Sequence, residues 1–333
     1  MEIRLLDNKS DVQNVYSKIS GFSNYNIFQS RFYYDVLAYN NITTPYLLIS
    51  EQDGVLNGFI LIQVQNYFNR LLKSFATRAI ISGAPLFNDD ENVLSNLLEK
   101  YNSILGNKLV YTQVRNIFNV DKYNHIFEKH NFKRIAHLNY IIELNKDIDK
   151  IWENVYPKRK NEIRKGVKEG VTAKEIDYKT ELNAAYDIVE AIYKKAKLPL
   201  PEYAYFQKAI KVQGGGNILR IIGGYFETKL IGVIFLLCFE GRVYNWYAAA
   251  IPDYYKKYPN DVITWEAIKW ASENGFTVFD FGGAGNPAKE YGVRDFKKKF
   301  GGLEINYGRY ECIHKPTVMR LSELGFKLWQ KLN

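Results

Sequence analysis

The sequence has few of the residues that support disulfide-bonded or metal-stabilised folds. Its 333 residues include only two cysteines, Cys238 and Cys312, and four scattered histidines without ligand spacing to cysteines or carboxylates. Two cysteines are too few for a disulfide scaffold. We therefore expect reduced thiols in a bacterial-type cytosol, Cys238 packed in an apolar strand, and no metal site.

Long apolar segments are also lacking. The longest apolar run, Leu230 to Phe239, has about half of the roughly 20 residues that a bilayer-spanning helix requires. The first residues, MEIRLLDNKSDVQ, are charged where a secretory signal is apolar. These features argue against a membrane-spanning or exported protein and predict a cytoplasmic location.

What the chain does contain is ample apolar material and a positive charge. Hydrophobic residues make up 47% of it, with 26 Tyr and 20 Phe, enough for the cores of about two domains. The net charge of +9 suits a phosphate-rich partner, which includes nucleic acid, nucleotides and an anionic membrane face. A basic surface that is merely solvated fits the same charge.

Two pairs of segments indicate an internal repeat. Residues 46–64 and 220–239 both have the pattern strand, polar turn, apolar strand, with Gly58 and Gly232 at matching positions. A second comparison aligns residues 125–135 with 267–281, each an amphipathic helix running into a strand. The offsets of the two pairs differ, so a tandem duplication requires loops of unequal length.

The repeat divides the chain near residue 145. Residues 138–145 have strand character, and helical spacing follows over 147–170, where Pro157 should separate two helices. We predict two mixed α/β domains, each with a central sheet flanked by helices. Their ranges are 1–145 and 146–333, and the second ends in a C-terminal helix.

The first candidate functional stretch is the basic segment 158–170. Lys160 and Arg164 are spaced to share a helix face, so both can meet one phosphate or carboxylate. Only Arg164 has the guanidinium fork for bidentate binding. A solvated basic helix is the alternative interpretation.

The second stretch, residues 278–302, is the most informative. Asp280 ends a strand, and Gly282, Gly283 and Gly285 allow tight turns after it. The segment FKKKFGG follows from Phe296, and its alternating Phe and Lys residues can bury rings while presenting ammonium groups to an anion. Glycine turns beside a lysine cluster predict an anion-handling site.

The third stretch, residues 243–270, bears on the donor. A coenzyme A site needs a glycine-rich turn whose N–H groups hold pyrophosphate at a helix N-terminus. Here the turn is KKYPND, which has no glycine and places the negative charge of Asp261 at that position. This argues against an ordinary coenzyme A site. Trp246 and Tyr247 lie either in the core or along a cleft.

Together these motifs resemble the Fem-type (FemABX) aminoacyltransferases and their tandem GNAT-fold relatives. In the second half the resemblance rests on ELN, IWENV, KRKNEIRKGVKEGV, LIGVIF, WEAIKWASENGF, FDFGG and FKKKFGG. In the first half it rests on NIFQSRFYYDVL, DGVLNGF and TRAIISGAPLF. The resemblance implies two tandem GNAT-like domains. It also implies transfer of an amino acid from aminoacyl-tRNA to an amine of a cell-wall precursor, without a metal or other cofactor.

The resemblance also suggests roles for particular residues. Lys297 corresponds to the lysine near the tRNA end or the reacting carbonyl, with Phe296 beside it. Asp280, Tyr247 and Arg164 are looser candidates for the cleft, and Asp280 is the protein alternative to a substrate carboxylate as base. Gly282 and Gly283 belong to the same substrate-binding turn. Lys160, the other candidate in the basic segment, occupies a position where the family usually has arginine.

A second departure is the lack of the long antiparallel helical arm that some members have. Relatives without the arm use other acyl donors as well. The alternatives are therefore an acyl-CoA-dependent N-acyltransferase acting on an amino sugar in glycan synthesis, and a non-catalytic GNAT-fold binding module. The expected partners are a charged tRNA or acyl-CoA donor, a cell-wall or glycan precursor, and an anionic membrane in peripheral contact.

Overall fold

The chain forms two compact units, each built on its own sheet. The computed structural model describes residues 1–6, 9–40, 42–66, 77–145, 147–212 and 218–321. Unit 1 comprises Met1–Ala136 together with the chain from Tyr307 onward, and unit 2 comprises His137–Asn306. The division differs from the predicted boundary, because the chain enters unit 2 before residue 145 and returns to unit 1 near its end.

Unit 1 has an eight-stranded sheet in the order β1-β2-β3-β4-β6-β15-β7, with β5 paired to β3. Its strands are β1 (Glu2–Leu6), β2 (Thr43–Gln52), β3 (Val55–Gln65), β4 (Arg78–Ser82), β5 (Leu86–Phe87), β6 (Tyr111–Arg115), β7 (Lys133–Ile135) and β15 (Arg309–Ile313). Its helices are α1 (Lys9–Tyr16), α2 (Arg31–Leu37), α3 (Glu91–Leu105) and α4 (Asn124–Lys129). The core lies between the sheet and α3, whose buried face carries Val93, Leu94, Leu97, Leu98, Tyr101 and Leu105.

Unit 2 has a seven-stranded sheet in the order β14-β8-β13-β12-β11-β10-β9. Its strands are β8 (Asn139–Glu143), β9 (Val171–Glu175), β10 (Leu219–Phe226), β11 (Lys229–Phe239), β12 (Arg242–Ala250), β13 (Val278–Gly283) and β14 (Leu303–Ile305). Its helices are α5 (Ile148–Asn154), α6 (Pro157–Lys168), α7 (Leu182–Lys195), α8 (Tyr203–Val212), α9 (Pro259–Glu273) and α10 (Gly292–Lys298).

Strand pairing explains why the predicted boundary is displaced. β8 pairs with β13 and β14 of unit 2, although it precedes residue 145. β15 pairs with β6 and β7 of unit 1, although it follows nearly the whole of unit 2. Residues 316–321 are helical, and the rest of the predicted C-terminal helix lies outside the described residues.

The repeated hairpins are confirmed, and their glycines have a shared physical reason. A Cβ on Gly58 of β3 would lie 2.7 Å from side-chain carbons of Val93 and Leu97 on α3. In unit 2, a Cβ on Gly232 of β11 would lie 3.3 Å from Pro259 of α9. Each glycine therefore lets the helix that follows the hairpins approach the sheet closely.

The second sequence comparison pairs the wrong helices. α3 connects the parallel strands β4 and β6, and α9 connects the parallel strands β12 and β13. The counterpart of residues 267–281 is therefore α3 with β6, whereas 125–135 form α4 and β7. The starts of α3 and α9, Glu91 and Pro259, are 168 positions apart, and Gly58 and Gly232 are 174 apart. Matching helices with different places in the topology therefore produced most of the difference between the offsets.

Local signals along the chain act as expected. Pro157 occupies the first turn of α6 and separates it from α5. Cys238 and Cys312 are free and buried. In the described part of the chain, no helix combines the length and apolar composition that crossing a membrane requires. The longest helices there, α3 and α9, have 15 residues each.

Candidate active site

The centre of the site is the point where β12 and β13 part. These parallel strands pair over three residues only, and the last pair is Tyr244 with Asp280. β12 continues to Ala250 and β13 to Gly283, so both run on beyond their last pair. Where β12 pairs with β11, the register shifts between Phe235 and Leu236. Trp246 is therefore an extra residue of β12 with no opposite residue in β11. The carboxyl ends of parallel strands form the edge at which open α/β sheets bind ligands.

Asp280 closes the base of this opening. Its side chain is fully buried, and its Oδ1 accepts hydrogen bonds from Asn139 Nδ2 at 2.7 Å and from the Gly282 N–H at 2.8 Å. Arg242 Nη1 donates to Oδ2 at 2.8 Å. A buried carboxylate with these partners holds the start of the glycine turn. Because the Asp280 carboxylate is buried and already accepts three hydrogen bonds, it is poorly placed to remove a proton from substrate, which is the alternative role predicted for it.

Lys297 of α10 holds the rest of the glycine turn. Its Nζ donates to the carbonyl oxygens of Phe281 at 2.6 Å, Gly282 at 3.1 Å and Gly283 at 2.9 Å. An ammonium group has three donors, so the three carbonyls use all of them. Gly282 has φ +68°, a conformation that favours glycine. Lys297 therefore fixes the end of β13 directly, and reaches a substrate only if this arrangement opens.

Burial lowers the pKa of Lys297 to about 8, partly opposed by the negative charge of Asp280. We therefore expect Lys297 to raise the free energy of unfolding as the pH increases from 8 to 10.5, where only the unfolded chain retains the proton. The measurement is urea unfolding of the wild type and Lys297→Met at pH 7 to 10.5. The wild type should gain stability relative to the variant above pH 8. A constant difference would contradict a buried ammonium group at this position.

Arg294 holds the loop that follows the turn. Its guanidinium group donates to the carbonyl oxygens of Ala284 at 3.0 Å, and of Asn286 and Lys289 at 2.6 Å each. Arg294 and Lys297 thus fasten one continuous segment, from the end of β13 to the start of α10. No pattern in the sequence marks Arg294 as a site residue. Its partners are backbone carbonyls, which leave no side-chain pattern to detect.

An aromatic wall lies on β12 beyond the parting of the strands. The ring of Tyr247 lies 5.5 Å from that of Tyr193 on α7, 5.4 Å from Phe206 on α8 and 4.9 Å from Trp246. Burial, together with nearby Tyr291, raises the pKa of Tyr193 to about 12, so its hydroxyl stays protonated. Tyr247 is half-buried: its ring packs on these neighbours, and a position along a substrate cleft stays a prediction.

The N-terminus of α9 is closed by a buried ion pair. Asp261, in the first turn, pairs with Arg159 of α6, and both side chains are less than 10% exposed. A Cβ on Gly166 would lie 2.8 Å from the carbonyl oxygen of Lys257, so α6 packs tightly against the entry to the helix. A solvated basic helix over 158–170 would make Arg159 a surface cation, but Arg159 is buried. Its spacing to buried Ile163 and Gly166 is the signal that places it on the inner face.

Apart from Tyr247 on β12, the predicted residues fall into two groups. Lys297, Asp280, Gly282 and Gly283 meet at the end of β13, and Phe296 lies beside them with its ring 4.3 Å from the Arg159 guanidinium carbon. Lys160 and Arg164 form the second group, because both lie over the ring of Trp152, at 5.8 and 5.5 Å. They do share a helix face. Lys160 Nζ also donates to the carbonyl of Glu153 at 3.0 Å.

Comparison with known proteins agrees with this geometry. Residues 157–298, which span α6 to α10, match the family of acetyltransferase (GNAT) domains. A lipid II:glycine glycyltransferase of Staphylococcus epidermidis, found in two strains, is 41% identical over 94 residues. That match covers 26% of this chain and 23% of the relative, so it spans less than a quarter of the relative's length.

Two solved structures share the fold over nearly the whole chain. FemX superposes with a TM-score of 0.71 at 14% identity, covering 96% of this chain and 99% of FemX. A tandem GNAT protein from the clavulanic acid pathway has a TM-score of 0.55 at 7% identity, covering 95% and 99%. The resemblance to tandem GNAT proteins and the mixed α/β fold are therefore confirmed. The roles of the individual site residues stay predictions.

Proposed function

We propose that this protein is an aminoacyltransferase that forms an amide bond on an amine of a cell-envelope precursor, with aminoacyl-tRNA as donor. The observation that carries the proposal is the parting of β12 and β13 beside the turn held by Lys297, inside the GNAT domain. This arrangement places backbone groups of β12 and a rigid glycine turn at one opening. The partial match to a lipid II:glycine glycyltransferase supports a lipid-linked peptidoglycan precursor as acceptor and glycine as the transferred amino acid.

The choice of donor rests on α9. A coenzyme A pyrophosphate would need free N–H groups and no adjacent negative charge at the helix N-terminus. In this chain Asp261 and Arg159 fill that position, and α6 packs against it. An aminoacyl ester does not need a pyrophosphate site. The match to acetyltransferase domains is the observation that favours acyl-CoA, and the experiment below therefore includes that donor.

The reaction needs positioning more than strong chemical activation. The neutral amine attacks the ester carbonyl, the C–N bond forms, and the C–O bond breaks as the ribose hydroxyl leaves with a proton. Holding amine and carbonyl at about 3–3.5 Å supplies much of the rate increase. Backbone N–H groups of β12 beyond Tyr244 are suited to stabilise the oxyanion. A substrate carboxylate is the better candidate base, because Asp280 is fully buried and already accepts three hydrogen bonds.

The test supplies purified protein with lipid II in detergent micelles and total tRNA charged with labelled amino acids. Parallel reactions contain labelled acetyl-CoA as donor, or a soluble nucleotide-linked precursor as acceptor. We expect alkali-stable label in lipid II from charged tRNA, with glycine the preferred amino acid. Lys297→Met is assayed in the same way. Its matched control is Lys298→Met, which removes an exposed lysine at the next position.

Each outcome of that assay distinguishes between a tRNA-dependent transferase, an acyl-CoA-dependent transferase and a non-catalytic binding module. Label that comes only from acetyl-CoA would replace tRNA by acyl-CoA as donor. Label only in the soluble precursor would keep the chemistry and remove the lipid-linked acceptor. If neither donor gives product while a known transferase labels the same acceptors, the protein is a binding module and the proposal is wrong.

A further inference from the structure

Unit 2 has a basic surface whose cations do not take part in holding the glycine turn. It consists of the outward side of α6 and the short 3-10 helix Pro252–Lys257 that follows β12, and we call it the α6 surface. The two segments touch, because a Cβ on Gly166 would lie 2.8 Å from the Lys257 carbonyl oxygen. The cations of this surface are Lys158, Lys160, Arg164, Lys165, Lys168, Lys256 and Lys257.

The charge on the α6 surface is only partly neutralised. The α6 surface has seven cations. Three carboxylates lie in the same part of the chain: one in α6, one directly after it and one in the short 3-10 helix. Glu162 pairs with buried Arg159, and Glu169 lies 3.7 Å from Lys165 and 3.9 Å from Lys257. Asp253 is the third carboxylate. A net positive surface of this kind attracts an extended anionic partner.

Apolar side chains are exposed among these cations. Val167 is 53% exposed and Tyr255 is 48% exposed. The ammonium of Lys165 lies 5.4 Å from the centre of the Tyr258 ring, and that of Lys257 lies 3.9 Å from the centre of the Phe226 ring. Exposed tyrosine and valine beside lysines suit the boundary between lipid headgroups and acyl chains, where tyrosine is enriched.

We propose that the α6 surface docks on an anionic lipid bilayer, with its lysines at lipid phosphates and Val167 and Tyr255 among the headgroups. Lipid fits better than RNA because six of the seven cations are lysines, which act as point charges toward mobile phosphates. RNA recognition relies on arginine forks and on rings open to base stacking. The rings of Tyr258 and Phe226 are covered by ammonium groups, which leaves Tyr255 as the exposed ring of this surface, and one ring is a poor platform for successive bases. This inference goes beyond the proposed activity, since docking needs neither donor nor acceptor.

The test measures sedimentation of the full chain with vesicles of phosphatidylglycerol and phosphatidylcholine, against pure phosphatidylcholine and against total tRNA. The test variant changes Lys158, Lys165, Lys168 and Lys256 to Gln. The matched control changes four exposed lysines elsewhere on unit 2 to Gln: Lys179, Lys194, Lys195 and Lys211. We expect the first variant to bind anionic vesicles on the order of several hundredfold more weakly, since each of the four lysines contributes roughly fivefold in affinity (about 1 kcal/mol). The control should bind like the wild type.

A second variant tests the apolar part of the surface. Val167→Ser with Tyr255→Ser should weaken vesicle binding several-fold while leaving any binding of tRNA unchanged. The proposal is overturned if both lysine variants bind vesicles equally. It is also overturned if the α6 surface variant loses tRNA binding but keeps vesicle binding, because the surface would then be an RNA site. Folding of every variant is checked by circular dichroism, and the vesicle assay is independent of transferase activity.

Discussion

Lys297→Met is expected to lower the rate of the proposed aminoacyl transfer by about a hundredfold or more while the protein stays folded. The methionine side chain has similar length but cannot donate to the carbonyls of Phe281, Gly282 and Gly283. Loss of these bonds releases the turn that borders the opening between β12 and β13. A displacement of about 1 Å at a reacting centre costs about a hundredfold in rate, and so does losing one oxyanion donor.

The measurement is steady-state transfer with charged tRNA, comparing Lys297→Met with Lys298→Met. If Lys297 acts by holding the turn, kcat should fall much more than the KM for either substrate rises, because binding contacts elsewhere persist. Lys297→Arg should not restore the rate, since a planar guanidinium group cannot direct three N–H donors from one nitrogen to three carbonyl oxygens as an ammonium group does. Turnover equal to that of Lys298→Met would remove Lys297 from the mechanism.

Patterns that act over a few residues are predictable from the sequence. The hairpins around Gly58 and Gly232 follow from alternating apolar residues and a polar turn, and the break between α5 and α6 follows from Pro157. The glycine turn after Asp280 is recognisable because only glycine suits the backbone there. Each of these features depends on neighbours in the chain, so the sequence contains the information.

Features that depend on strand order are not predictable in this way. Asp280 takes its partners from β8 and β12, which come together only through the sheet. The insertion of β15 into the sheet of unit 1 likewise leaves no local trace, so the predicted boundary at 145 is displaced. Lys297 illustrates a different limit. Its acceptors are backbone carbonyls, which every residue has, so resemblance can select the lysine but cannot show what it binds.

For Arg159, the charge composition of the segment gives the wrong prediction and the helical spacing gives the right one. Six cations between residues 158 and 168 indicate a solvated helix, yet the position of Arg159 relative to Ile163 and Gly166 puts it on the buried face. Helical spacing is the stronger signal here, because a buried arginine is stabilised once a carboxylate is available. Asp261 supplies that carboxylate, which the sequence shows only as an unfavourable charge at a helix start.

Arg159→Met is expected to lower the free energy of unfolding by about 3 kcal/mol, because it leaves the buried Asp261 carboxylate without its partner. The value lies at the low end for such a loss, since the N-terminus of α9 itself favours a negative charge. Urea unfolding provides the measurement, and Lys158→Met, an exposed neighbour, should change stability by less than about 0.5 kcal/mol. Arg159→Met with Asp261→Asn should lose less than the two single changes added together.

The same variant should slow transfer more than its folded fraction explains. Arg159 lies over the rings of Phe296 and Phe300, and its Nη2 donates to the Phe296 carbonyl at 3.4 Å, so it orients the helix that carries Lys297. An Arg159→Met variant as stable and active as Lys158→Met would mean that the pair does not close the start of α9. Free N–H groups at that helix would then be available to a pyrophosphate, and the argument against coenzyme A would lose its structural basis.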